Sequence, residues 1–176
     1  NLAGLAGALE LRALGPNHKI TVISNSPIFT YTPSLIWVPF GLENKETIQF
    51  DVRPIFKKHA IDFEHESIQK IRPLFNQVVT NQSIYRYDYL LISTGARPDY
   101  SQVPGLTPSE HSVSICSFNE AKKTQEYLAN FLEDPGPIVI GLTENSFAKN
   151  AAYEFLVLLT GHLKKHNLEH AAPLTF

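Results

Sequence analysis

A single cysteine, Cys116, stands in 176 residues, so no disulfide can close within the sequence and one thiol is left to account for. Methionine is missing altogether, and tryptophan occurs once, at Trp37. No apolar run reaches the roughly 18 residues that a membrane-spanning helix needs. Neither sign of charge dominates: 15 Lys and Arg face 17 Asp and Glu, a formal net charge of −2, which gives no electrostatic footprint for nucleic acid. The seven histidines read as scattered, and no metal site is expected from them. What is present, 43% hydrophobic and 18% charged residues, is ordinary for a globular α/β chain.

The sequence opens on Leu2-Ala3-Gly4-Leu5-Ala6, with no strand before it, and closes on AAPLTF, which reads as the start of a strand. It is therefore expected to be a piece of a longer protein. GLAGALELRALG (4–15) has a helical apolar period stopped by Gly15 and Pro16. HKITVIS (18–24) is a β-branched strand closed by Asn25-Ser26-Pro27. IFTYTPSLIWVPFG (28–41) shows neither helical nor strand period and is expected to be a structured loop. DVRPIFKKHAI (51–61) predicts a helix with Pro54 in its first turn, leading to a strand at 61–68. NQVVTN (76–81) and SIYRYDYLLIST (83–94) predict a hairpin that feeds a buried parallel strand. Residues 117–134 predict an amphipathic helix with Ser117 and Glu120 as a capping box. A short strand, GPIVIG (136–141), and a long helix (146–166) follow. Helices alternating with short apolar strands predict a parallel sheet with crossover helices. DPGP (134–137) and the extended stretch 98–116 mark the passage toward a second domain.

Three features carry chemistry. Gly4, Ala8 and Gly15 match the closing half of a dinucleotide-binding fingerprint, in which a glycine lets the helix pack tightly on its strand. The free N–H groups at that helix start suit a pyrophosphate. A small-residue helix that merely packs closely reads equally well, since the second glycine position of the motif falls on Asn1. The strand that follows ends on Ser24-Asn25 where the fingerprint expects an acid, which speaks against NAD at this point and less against FAD. Finally, YDYLLISTGARP loses all side-chain bulk at Ser93-Thr94-Gly95, as a tight turn does, and as a strand end does when a flat cofactor crosses it.

Taken in order, Gly4-xxx-Ala8, ITVISN, FTYTPSLIWVPFG, HESI, YDYLLISTGARP, SICSFNEA and DPGPIVIG before AAYEF resemble the sulfide:quinone oxidoreductase and flavocytochrome c sulfide dehydrogenase branch of the flavoproteins with two dinucleotide-binding domains. The resemblance covers nearly all of the sequence. It implies a three-layer α/β FAD/NAD(P)-binding Rossmann-type domain, with a parallel sheet and an antiparallel hairpin, over residues 1–112 and lacking its first strand. The beginning of a second Rossmann-type domain follows over 113–176.

By the same resemblance, FAD is the cofactor, with Gly4 toward the pyrophosphate and Ser24 and Asn25 toward the adenosine ribose. Ile68 offers backbone contact to the adenine, Thr32, Pro33 and Ser34 lie beside the isoalloxazine, and Thr94 and Gly95 form the second flavin motif. A reduced sulfur compound is the expected electron donor and a quinone the acceptor. The resemblance also implies peripheral membrane contact through parts outside this sequence, and the expected setting is peripheral membrane or cytoplasmic.

Two departures from the family pattern stand out. Where the family carries one of its central cysteine pair, this sequence has Ala148, while Cys116 matches an additional family cysteine and is the candidate catalytic thiol. GLTENSFAKN (141–150) retains one glycine of a second nucleotide motif and puts Glu144 where a pyrophosphate needs a free amide, which argues against NAD(P)H there. The competing readings are a type II NADH:quinone oxidoreductase-like enzyme and a flavin-binding homologue without sulfide turnover.

Overall fold

In the computed structural model, residues 1–101, 103–106, 108, 112–142 and 149–176 are described; Glu144 and Ala148 lie outside them. The chain divides into two compact units, Asn1–Tyr31 with Gln49–Arg97, and Thr32–Ile48 with Pro98–Phe176. The division differs from one cut at residue 112, because residues 32–48 join the later part of the sequence.

In the first unit, helix α1 (Leu2–Leu14) begins where expected, with Asn1 as its N-cap: the Asn1 Oδ1 accepts the Gly4 N–H at 3.0 Å. Strand β1 (Thr21–Ser24) pairs in parallel with β4 (Asp62–His65), Thr21 opposite Asp62 and Ser24 opposite His65. Between them lie β2 (Ile28–Thr30) and β3 (Gln49–Asp51), an antiparallel pair, and the helix α3 (Arg53–Lys58), numbered after α2 (Lys45–Ile48). Pro54 sits in the first turn of α3, where its missing N–H costs nothing. Ala8 of α1, Phe29, Val52, Phe56 and Ile61 form the buried core, with Leu5, Leu9, Ile20, Val22 and Phe63 packed against it.

Strands β5 (Ile68–Arg72), β6 (Gln77–Thr80) and β7 (Ile84–Arg86) make an antiparallel meander. Here one expectation is corrected. The strand predicted through residue 94 ends at Arg86, and residues 89–95 carry no ladder. Nor are they buried: Tyr89, Leu91 and Ile92 are all more than half exposed. A strand exists only where a neighbour offers carbonyls and N–H groups in register. Among the described residues this segment instead lies against the α1 backbone at Gly4 and Gly7 and accepts a bond from the capping Asn1 side chain.

Two polar hubs organise the unit. The Arg12 guanidinium donates from Nη1 to the carbonyls of Pro16 and His18, both at 2.8 Å, and of Gly15 at 3.4 Å. Its Nη2 donates to the carbonyl of Ala60 at 2.7 Å. One side chain thus closes the C-terminal end of α1 and ties it to the loop before β4. Gly15 is required there by proximity, since a Cβ would lie 2.1 Å from the His18 ring. The second hub is Glu66, buried just after β4. Its carboxylate accepts from the hydroxyls of Thr80, Tyr85 (2.8 Å) and Ser83 (3.4 Å), joining β4 to the meander.

In the second unit, the segment expected as a loop is a nine-residue 3₁₀ helix, Thr32–Phe40. Its period of three puts Leu35 and Val38 on one edge, where they are buried with Ile48 of α2 and Ala121. Neither a 3.6-residue nor a two-residue search detects that spacing. Helix α4 (Phe118–Phe131) has Ser117 as N-cap, its hydroxyl accepting the Glu120 N–H at 3.3 Å. Only half of the capping box forms, because the Glu120 carboxylate accepts from Ser114 instead. Strands β8 (Ile138–Val139) and β9 (Leu174–Thr175) pair in parallel. Helix α5 (Lys149–Lys165) buries Leu159 and Leu163 with Ala172. His162 and His166 stand four residues apart on α5 with ring centroids 4.7 Å apart, a spacing that the reading of scattered histidines overlooks. Burial above all, then the neighbouring His166 and Lys165, holds His162 below its ordinary pKa. Among the described residues no group of three or more His, Cys, Asp and Glu is placed to hold a metal, and no helix is long and apolar enough to cross a membrane.

The hubs make two predictions. Arg12→Ala leaves four carbonyls without their cationic donor and is expected to cost about 2 kcal/mol in chemical denaturation, with Arg12→Lys recovering little because an ammonium cannot reach all four. Glu66 is held below the usual carboxylate range, first by the Thr80 hydroxyl and then by Tyr85 and Ser83, against an opposing effect of burial. A depressed folded-state pKa adds stability that is present at neutral pH and is lost as pH falls through that lowered value. Thermal melts taken downward from neutral pH should therefore show the wild type losing more stability below about pH 4.5 than Glu66→Gln does.

Candidate functional site

The sequence-predicted residues of the first unit fall into two groups. In one, the start of α1 meets the segment 93–95. Asn1 caps α1 with its Oδ1 and donates from its Nδ2 to the Ser93 carbonyl. Gly4 stands so close that a Cβ there would come within 3.0 Å of the Ser93 Oγ. Gly95 has φ +78°, a conformation that disfavours any side chain, and a Cβ on it would meet the Asn1 carboxamide at 3.3 Å. Thr94 lies between them, exposed. Gly4, Thr94 and Gly95 are therefore gathered at one place, where the absence of a Cβ at Gly4 and Gly95 lets the Ser93 and Asn1 side chains fit between the two segments.

Gly7 belongs to the same contact and was not singled out from the sequence. A Cβ on Gly7 would reach the Leu91 Cδ2 at 3.0 Å. The signal was available, since Gly4 and Gly7 are one helical turn apart and share a face. Ala8 instead turns into the core with Phe29 and Phe56. Gly15 ends the helix with φ −131°, outside the left-handed region.

The second group lies where β1 and β4 end. The Glu66 N–H donates to the Ser24 carbonyl at 3.1 Å, extending the parallel pairing by one bond. His65 Nε2 lies 3.0 Å from the Asn25 carbonyl oxygen. The Ser24 hydroxyl is spent within its own turn, donating to the Ser26 carbonyl at 2.9 Å. Asn25 is exposed. Ile68, also exposed, begins β5 two residues after Glu66. Behind it the chain is fixed twice more: Ser67 and Asn81 exchange bonds, the Ser67 N–H donating to Asn81 Oδ1 at 2.9 Å and the Asn81 N–H to the Ser67 carbonyl at 3.0 Å. Glu66, which no short motif marked, anchors this corner.

The remaining candidates belong to the second unit. Thr32 and Pro33 are exposed at the start of the 3₁₀ helix, and Ser34 is buried. Of the aromatics nearby, Phe40 packs against Phe155 and His162. Trp37 is partly exposed and donates from its Nε1 to Glu154 Oε1 at 3.0 Å, which gives that helix carboxylate a neighbour to bond. Phe29 lies in the core of the first unit, stacked on the exposed Phe50.

Cys116 is exposed, one residue before the cap of α4. Its N–H donates to the Ser114 Oγ at 3.1 Å. That hydroxyl in turn donates to Glu120 Oε2 at 3.0 Å and lies 3.2 Å from the Tyr100 hydroxyl. Thr124 donates to the Ser114 carbonyl at 2.8 Å. Burial above all raises the Tyr100 pKa, with Cys116 and Glu120 acting in the same direction. The thiol thus sits on a turn held from three sides.

With this geometry in hand, the comparisons are direct. Residues 1–141 match the family model for pyridine nucleotide-disulphide oxidoreductases. The sulfide-quinone reductase of Aquifex aeolicus is 35% identical across 99% of this chain and 40% of its own length. The mitochondrial sulfide:quinone oxidoreductase of Dictyostelium discoideum is 26% identical across 98% of this chain and 39% of its own. The chain therefore spans about 40% of the length of these relatives. Among solved structures, the sulfide:quinone oxidoreductase of Aquifex aeolicus superposes with a TM-score of 0.91 at 34% identity, covering 99% of this chain and 40% of that one. A ferredoxin reductase from Rhodopseudomonas palustris, with a TM-score of 0.68 and 17% identity over 98% of this chain and 39% of its own, shares the fold alone. A mixed α/β Rossmann-type fold, parallel strands with an antiparallel meander, is common to them. The chain belongs to the pyridine nucleotide-disulphide oxidoreductase family.

Proposed function

We propose that this chain is the FAD-holding part of an oxidoreductase that passes two electrons from a reduced sulfur compound to a quinone. The observation that carries the reading is the meeting of the α1 start with Ser93–Gly95, where glycines at 4 and 95 let the two segments come close. In this reading the partial positive charge of the α1 N-terminus attracts the pyrophosphate near Gly4, whose own N–H is bonded to the capping Asn1 side chain. Thr94 and Gly95 present backbone from the other side. Ser24 and Asn25 face the adenosine ribose, with the Asn25 side chain as the available polar group. Ile68 offers its backbone to the adenine, at a corner that Glu66 and Asn81 hold in place.

Thr32, Pro33 and Ser34 belong to the reading as residues beside the isoalloxazine, and residues 1–112 and 113–176 as its two dinucleotide-type domains. FAD supplies the ability to accept two electrons, which no side chain here possesses. Cys116 contributes the thiol that would receive sulfur, and Ser114 and Glu120 fix the turn that carries it. A peripheral membrane or cytoplasmic setting completes the proposal. The second reading, a flavin-binding homologue without sulfide turnover, draws its support from Ala148 at a family cysteine position.

Two measurements on the full-length protein test this. Titration with FAD, followed by quenching of flavin fluorescence, should saturate for the wild type, while Gly4→Val weakens binding on the order of tenfold or more. A protein that neither carries nor takes up FAD sinks the proposal. In anaerobic stopped flow, sulfide should bleach the bound flavin, and Cys116→Ser should slow that step on the order of tenfold without loss of FAD. Flavin that stays oxidised in the wild type would leave the non-catalytic homologue standing.

A further inference from the structure

The meander of the first unit ends in an apolar knob. The β5–β6 connection is a 3₁₀ turn, Pro73–Phe75, closed by Asn76 in the left-handed conformation with φ 49°. Leu74 is 95% exposed and Phe75 68% exposed, although both are large and apolar. Exposed single hydrophobics are common, but two adjacent large ones on a tight turn form an apolar tip that has no core to serve.

Cations outnumber acids in the sequence around it. Arg72 and Arg86 both stand opposite Gln77, so they flank the root of the turn from either outer strand. Lys70 lies one step further down the same outward face, opposite Val79, which in turn pairs with the exposed Ile84. From Ser67 to Pro98 the sequence has four cations, Lys70, Arg72, Arg86 and Arg97, against one acid, Asp88, in a chain whose net charge is −2. The inward face of the meander is sealed by Val78 and Thr80, leaving the outward face free of core duty. Leu and Phe at the tip with arginines behind them is the arrangement of a membrane-interface contact: apolar side chains enter the headgroup boundary while guanidinium groups meet lipid phosphates.

We propose that the Pro73–Phe75 turn is a contact point for an anionic lipid bilayer, independent of how FAD is held and of any other membrane element the protein has. Leu74 and Phe75 dip into the interface, and Arg72, Arg86 and Lys70 select anionic headgroups.

The test places an environment-sensitive nitrobenzoxadiazole label at Leu74→Cys in a Cys116→Ser background of the full-length protein, with any further reactive thiols removed. A label at Glu10→Cys serves as reference. Vesicles of phosphatidylcholine with about 30% phosphatidylserine should blue-shift the label at 74 and expose it to quenching by lipid-borne nitroxide, while the label at 10 stays unchanged. Replacing Arg72 and Arg86 together with Gln should weaken this insertion on the order of tenfold, as two cations near an anionic surface imply. A blue shift that follows protein concentration instead of lipid would mean self-association and overturn the proposal. So would a label at 74 that responds to no vesicle, or that responds equally to vesicles of phosphatidylcholine alone.

Discussion

Close approach between the first turn of α1 and the backbone of Ser93–Gly95 is the constraint on which the rest of the site depends. It is possible because Gly4 has no Cβ, because Gly95 adopts a positive φ, and because the Asn1 side chain spans the gap with one bond to each side. Each condition is local, yet the result joins residues more than 90 positions apart. Were Gly4 replaced by a branched residue, the helix would have to stand off, and the free N–H groups of its first turn would no longer lie beside the Thr-Gly backbone. The affinity of this edge for a phosphate-bearing cofactor follows from that placement, since helix-terminal electrostatics fade beyond the first turn.

Around this contact, polar side chains rather than sheet ladders do much of the tying. The parallel pair β1–β4 has only four residues on each strand. Arg12 closes the far end of α1 onto the loop before β4, and Glu66 closes the end of β4 onto the meander. These two hubs clamp the β1–β4 pair at opposite ends. They set where Ser24, Asn25 and Ile68 come to rest, although neither hub faces the proposed cofactor. The rigidity of the corner thus rests on charged groups whose hydrogen bonds are short and numerous.

Much of this was legible because its causes are local. Asn1, Ser117, Gly15 and Pro54 mark helix ends through caps and missing donors that act within four residues. The strand at 21–24 announces itself by β-branched residues. What was not legible depends on distant partners or on an unusual period. Leu35 and Val38 repeat every three residues, a spacing that looks aperiodic to a search for helices and strands. Tyr89–Ile92 has the composition of a buried strand, but a ladder is a property of two segments, and composition reports one. The Glu66 hub draws on Thr80, Ser83 and Tyr85, 14 to 19 residues away, and no motif encodes that geometry. Of the candidate site, Gly4 and Gly95 were found because sterics single them out, whereas Gly7 was passed over and Ser24 spends its hydroxyl on a turn that its sequence also favours.

The membership of residues 32–48 in the second compact unit has a bearing on biogenesis. Leu35, Val38 and Ile48 bury themselves with Ala121, so the 3₁₀ segment must wait for residues synthesised more than 80 positions later before its apolar edge is covered. A ribosome releasing this chain at about 5–20 residues per second would hold that edge open for several seconds. During that interval Leu35, Ile36 and Val38 are bait for chaperones and for neighbouring nascent chains. Neither unit can mature as a contiguous stretch of polypeptide, and their completion is coupled in time as the chain emerges.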